Sequence, residues 1–72
     1  MNKGQPTKLE VRVETPEERR QIILPLSMLS KGTPMEQAVN LTLMLVKHGV
    51  SDETGDEFFP AHTIYKIVIR YD

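Results

Sequence analysis

Seventy-two residues suffice for one domain and one small core, and a chain of this size buries only about 60% of its unfolded surface. Nine basic and ten acidic residues leave a formal charge of −1, which excludes a general attraction to nucleic acid or to an anionic membrane. There is no cysteine, so neither a disulfide nor a thiolate zinc site is available to support the core.

A hydrophobic content of 39% with 26% charged residues fits a folded domain rather than a disordered segment. No apolar run approaches the ~20 residues of a membrane span, and no membrane association is expected. Met1-Asn2-Lys3-Gly4-Gln5-Pro6 is followed by no apolar stretch and does not read as a signal peptide. The expectation is a complete cytoplasmic polypeptide.

Residues 1–7 read as a flexible N-terminal tail, because Gly4 and Pro6 interrupt any regular element. Residues 8–72 read as a single α+β domain. From Lys8 to Glu14 the pattern alternates, with Leu9, Val11 and Val13 on one face and charged residues on the other, which predicts a half-buried strand. Thr15-Pro16-Glu17-Glu18 then reads as a turn, with Pro16 pre-set for its first central position.

Arg19–Leu29 admits two readings. As a helix it would align Ile22, Leu26 and Leu29. As a strand it would alternate Arg20, Ile22 and Leu24 against Gln21 and Ile23. Pro25 decides between them, because a mid-helix proline costs about 3 kcal/mol. The prediction is a strand over residues 19–24, then a short helical turn from Pro25 to Ser30, ended by Gly32.

The next helix is punctuated at both ends. Thr33-Pro34-Met35-Glu36 is a capping box with proline at the first helical position. Lys47 and His48 complement the dipole at the far end, and Gly49 can supply a left-handed stop. The prediction is a helix over residues 34–48. Residues 51–57 read as an acidic loop, and His62–Tyr71, rich in β-branched and aromatic residues, as the strongest strand. The expected fold is a two-layer α+β domain, β-β-(short helical turn)-α-β, with one main helix on a three-stranded sheet. Strand order stays open.

The helix has more apolar surface than one sheet needs. Met35, Ala38, Val39, Thr42, Leu43, Leu45 and Val46 make one stripe, and Leu41 widens it to roughly 200°, against about 100° for an ordinary surface helix. Met44 lies on the otherwise polar face. Either the 25–30 turn folds over this surplus, or a second subunit or a partner does.

Several constellations are candidate sites. Asp52, Glu53, Asp56 and Glu57 offer oxygen ligands for a hard cation but lack the ligand spacing of an EF-hand. They read as a solvated loop and a candidate partner contact. His48, His62 and Asp52 are a conceivable zinc or acid–base set, against which His48 already serves the helix end and His62 opens a strand. Ser27, Ser30 and Ser51 have no neighbouring base, and the glycines, at 4, 32, 49 and 55, form no phosphate loop. No cofactor and no metal are expected. Phe58-Phe59 reads either as a core cap or as an interface anchor.

From Lys8 to Gly49 the chain resembles a ribbon-helix-helix DNA-binding protein. Leu9–Val13 would be the ribbon, Pro16-Glu17-Glu18 the start of the first helix, and Gly32-Thr33 the turn before the second. The resemblance implies a DNA-binding regulator. Three features depart from it. Pro25 falls inside the required first helix, the ribbon's polar face of Lys8, Glu10, Arg12 and Glu14 is charge-neutral, and residues 50–72 have no counterpart. Nucleic acid is therefore not the expected partner.

The leading expectation is a small non-enzymatic protein-interaction module, a regulator, inhibitor or assembly factor. It would bind a protein partner, itself as a homodimer, or both. The candidate contact residues are Leu41, Met44, Phe58 and Phe59, with Asp52, Glu53, Asp56 and Glu57. Small chains of this kind are common among phage and accessory proteins. The alternatives are a ribbon-helix-helix-like DNA-binding regulator and a small cofactor-free enzyme assembled across a dimer.

Overall fold

The computed structural model describes residues 5–72. The chain runs β1 (Pro6–Glu14), β2 (Arg19–Leu24), a 3-10 turn (Leu26–Met28), α1 (Pro34–His48), β3 (Val50–Ser51), β4 (Phe58–Phe59), a second 3-10 turn (Ala61–Thr63) and β5 (Ile64–Tyr71). One helix packs on a three-stranded antiparallel sheet of order β2-β1-β5, and β3 and β4 pair as a separate small hairpin. This is the expected two-layer α+β arrangement. Two boundaries differ from the sequence reading. Pro6 and Thr7 belong to β1 rather than to the tail, and the first four tail residues lie outside the described residues. The last strand starts at Ile64, because Ala61–Thr63 form a turn whose Thr63 hydroxyl donates to the Pro60 carbonyl at 2.6 Å.

The alternation in β1 sets the layers. Leu9, Val11 and Val13 are fully buried on the helix side, and opposite them on β2 stand Leu24, Ile22 and Arg20. On β5, Ile69 and Ile67 stand opposite Leu9 and Val11 on the same face. Burying side chains of this size is worth about 1.5–3 kcal/mol each. The strand at 19–24 is formed as expected. A ribbon-helix-helix fold requires a helix there, so the resemblance does not extend to this architecture.

The capping box is complete. Glu36 N donates to Thr33 Oγ1 at 3.2 Å, and Thr33 N donates to Glu36 Oε1 at 2.9 Å. At the other end Gly49 N donates to the Leu45 carbonyl at 2.7 Å. Gly49 has φ 73° and ψ −163°. The positive φ was expected, but the ψ is extended rather than left-handed helical, a combination essentially confined to glycine. It sends the chain straight into β3. A Cβ there would stand 2.6 Å from Phe58 Cζ and 2.7 Å from the Phe59 carbonyl oxygen.

The axis of α1 is placed by a few contacts. Tyr71 OH donates to Gln37 Oε1 at 2.8 Å, tying the start of the helix to the end of β5. Gln37 Nε2 and Asn40 Nδ2 each donate to Ser30 at 3.0 Å, holding the polar flank of the helix to the segment that follows β2. Leu41 and Leu45 point into the core with Val50 and Phe59. Among the described residues no helix is long and apolar enough to cross a membrane.

Candidate interaction surface

The apolar surplus of α1 divides into two halves. Leu41 and Leu45, at 2% and 1% exposure, face the sheet. Met35, Val39, Leu43 and Val46 remain 77%, 51%, 63% and 65% exposed. At about 100° per residue these four, with Thr42, sweep roughly 100° of the helix circumference. The 25–30 segment does not fold over them. It lies on the other flank, where Ser30 meets Gln37 and Asn40.

Two of the expected contact residues on the helix change role. Leu41 was expected to widen the exposed stripe, but it sits at the middle of the sheet-facing half. Met44 was expected on the outer polar face, but it packs against the core cluster. The exposed residues Val39, Leu43 and Val46 belonged to the stripe but were not singled out as contacts. The wheel alone does not tell which half of a wide sector meets the sheet.

Phe58 and Phe59 are neighbours in a two-residue strand, so they point to opposite faces. The two readings of the pair divide between its members: Phe59, named as a candidate contact, is a core residue at 4% exposure, whereas Phe58 is 61% exposed. Arg20 stands over the Phe59 ring, its Cζ 5.7 Å from the centroid.

The acidic loop is largely engaged inside the molecule. Asp52 Oδ1 accepts from Thr54 Oγ1 at 2.9 Å and from the amides of Asp56 and Glu57 at 3.1 and 3.4 Å. Burial pushes the Asp52 carboxyl up, but these hydrogen bonds outweigh it and hold the group below the ordinary aspartate value. Arg20 gathers the loop. Its guanidinium lies 3.6 Å from Asp52 Oδ2 and 4.0 Å from Glu53 Oε1, and it donates to Glu57 Oε1. Glu53 Oε2 also accepts from Ile23 N at 3.3 Å, so the loop lies across the outer edge of β2. Of the four carboxylates, only that of Asp56 makes no hydrogen bond or ion pair within the described residues. An internal cation thus occupies the loop expected to meet a partner.

The edge of β5 is different. On its inner side β5 pairs with β1 along the strand, with irregularities at Thr7 of β1 and at Tyr65 of β5. Beside it runs a groove of about 240 Å³, walled by Thr42, Leu45 and Val46 of the helix and by Ala61, Ile64, Tyr65, Lys66 and Ile67 below. The exposed face of α1 therefore continues through this groove to the outer edge of β5.

The face of the sheet turned away from α1 is polar. It carries Lys8, Arg12, Arg19, Lys66 and Arg70 against Glu10 and Glu14, five cations to two carboxylates, an excess of three. The alternation in β1 alone gave a neutral face, and the cations from β2 and β5 change that. Glu10 is 1% exposed beneath its neighbours. It accepts from Arg12 Nε at 2.7 Å and from Gln21 Nε2 at 2.9 Å, with Lys8 Nζ at 3.6 Å. The Arg12 hydrogen bond outweighs the opposing effect of burial and holds the Glu10 carboxyl below the usual glutamate range. Arg12 and Arg19 border a shallow recess with Gln21 and Tyr65.

No protein-family model matches the chain, and no curated protein and no solved structure matches it.

Proposed function

We propose that this chain is a small non-enzymatic protein-interaction module, and that its contact surface is the exposed side of α1 with the adjoining groove and β5 edge. The observation that carries this reading is the row Met35, Val39, Leu43 and Val46, each more than half exposed along one helix face. A small domain gains nothing for its own core from such a row, and apolar patches with a polar surround mark interaction sites. Helices that present apolar residues at this spacing dock into complementary grooves or against a second helix.

The test is paired capture from a lysate of the source cell, with wild type and Leu43→Glu as baits. A protein retained by wild type and lost with Leu43→Glu is the expected result. Identical retention by both baits would move the contact elsewhere.

A second reading has its own support. The cationic excess on the outer sheet face favours a polyanion such as nucleic acid. Titration of single- and double-stranded oligonucleotides against wild type and Arg12→Ala, at two salt concentrations, separates the two. Salt-sensitive binding weakened by Arg12→Ala would favour the second reading.

A further inference from the structure

We infer that the sheet face turned away from α1 binds a single-stranded nucleic acid, with phosphates on the Lys8–Arg70 and Arg12–Lys66 pairs and a base against Tyr65. The inference rests on the polyanion reading of that face, names its ligand, and is independent of the exposed side of α1.

The strand register carries it. β1 is the central strand, and it treats its two neighbours differently. Toward β2 the outward pairs are complementary or neutral. Glu14 stands opposite Arg19 and meets it at 3.2 Å, Arg12 stands opposite Gln21, and Glu10 opposite Ile23. Toward β5 the outward charges repeat one sign. Lys8 stands opposite Arg70, and Arg12 opposite Lys66. Like charges directly opposite are destabilising, and a carboxylate at either β5 position would have relieved them. Folding alone gains nothing from this register. A broken local rule of this kind belongs to sites that serve something other than the fold. An anion laid over each pair turns the repulsion into charge-assisted hydrogen bonds.

The protein supplies little of that counter-charge. The Glu10 carboxylate, in a side chain 1% exposed, lies between the two pairs and takes up the β1 cations, Arg12 at 2.7 Å and Lys8 at 3.6 Å. Lys66 and Arg70 are exposed and have no carboxylate partner among the described residues. Asp72, which follows Arg70 in the alternation, pairs with neither.

The spacing suits a chain of phosphates. Lys8 and Arg12 are four positions apart, as are Lys66 and Arg70, so the two cation pairs stand about 13 Å apart along the strands. A stacked strand places one phosphate every ~3.4 Å. The pairs therefore lie about four stacked nucleotides apart, and fewer in an extended strand. Ile23 and Val68 flank Glu10 between them, Ile23 39% exposed and Val68 half-buried, and give bases an apolar floor.

Tyr65 separates a single strand from other polyanions. The bulge after the Arg12–Lys66 pair leaves Tyr65 with no partner on β1, and a bulge re-aims the side chain it carries. The tyrosine, 51% exposed, lines the shallow recess with Arg12, Arg19, Arg20 and Gln21. An exposed ring beside a cationic track stacks unpaired bases. A duplex keeps its bases stacked on one another, and an acidic peptide or a polyphosphate has none to offer.

The experiment is an anisotropy titration of a labelled oligothymidylate with the whole chain at several salt concentrations. The expected result is micromolar binding at low salt, with a log–log salt slope of about −2 to −3 for contacts with four cations. Lys66→Glu with Arg70→Glu makes both cross-strand pairs complementary. It is expected to raise the urea midpoint and to weaken binding about tenfold or more, folding better and binding worse. Tyr65→Ala is expected to weaken binding about fivefold or more with the salt slope unchanged, and Tyr65→Phe to bind as wild type. Binding retained by the double glutamate variant would overturn this face as the site. Equal affinity for a duplex, for inorganic polyphosphate or for poly-glutamate, with Tyr65→Ala binding as wild type, would overturn the single strand and leave the polyanion reading standing. No binding of any of these probes at about 100 μM protein in low salt would end both.

Discussion

The two sides of this domain handle exposed structure in opposite ways. On the β2 side, one cation, Arg20, draws in Asp52, Glu53 and Glu57, and their loop crosses the strand edge. On the β5 side, Val39, Leu43 and Val46 are more than half exposed, and no further strand among the described residues pairs with β5. The contrast teaches that charge and exposure part company here. The charged loop is tied to Arg20 within the domain, and the uncharged helix face is left exposed.

The sharpest break of this comparison uses the two phenylalanines. Phe59→Ala should cost about 3–5 kcal/mol by emptying the joint between the hairpin and the core. Phe58→Ala, one residue away, should cost less than about 1 kcal/mol. Urea denaturation of both variants checks the pair, and equal losses would mean that the hairpin is not anchored through Phe59.

Arg20→Ala comes next. Its pairs are only partly exposed, so the loss should lie between those of surface and buried ion pairs, about 1–2 kcal/mol. It should also raise hydrogen exchange at the Ile23 amide, because the loop that covers it is released. A midpoint shift without faster exchange at Ile23 would uncouple the loop from the edge.

Thr33→Ala removes one half of the capping box and should cost about 1 kcal/mol, read as a lower denaturation midpoint. Acid acts on the same kind of contact. Asp52, Glu10 and Glu36 are all held below their ordinary values, Glu36 by the Thr33 amide and hydroxyl. Carboxylates of this kind contribute fully above their unfolded values of about 4, and the contribution is lost as pH falls through the lower folded values. Stability should therefore be flat from pH 7 to about 5 and fall below about 4. Asp52→Asn should flatten part of that fall, and an unchanged profile would remove Asp52 from the account.

The smallest effect on folding belongs to the open side. Leu43→Glu should leave the stability of the isolated monomer within about 0.5 kcal/mol, because the side chain is 63% exposed. A large loss would mean that Leu43 supports the core and is not a free contact.

Much of the fold was legible from local rules. The alternation of β1, the capping box and the placing of β2 by Pro25 each rest on a few neighbouring residues. What escaped depends on residues far apart in the chain. The β3–β4 hairpin has two-residue strands, too short to show any period. The capture of the acidic loop joins Arg20 to Glu57 across 37 positions and needs the strand order to be known. Glu10 sits at a polar position of an alternating strand, and it is buried because that strand is central, with Ile23 and Val68 opposite it and Lys8, Arg12 and Gln21 paired to it. The bearing of the helix face is hidden for a related reason. The pattern gives the width of the apolar sector but not its bearing, and Leu41 and Leu43 exchange roles once the sheet fixes that bearing.

The carboxylate of Glu53 on the Ile23 amide has a consequence for stoichiometry. A sheet with two open edges adds copies without limit and grows into a fibre. A sheet with one edge obstructed adds one neighbour and stops, because the joined pair presents its two obstructed edges outward. The acidic loop thus leaves the β5 edge as the side of the sheet open to strand addition.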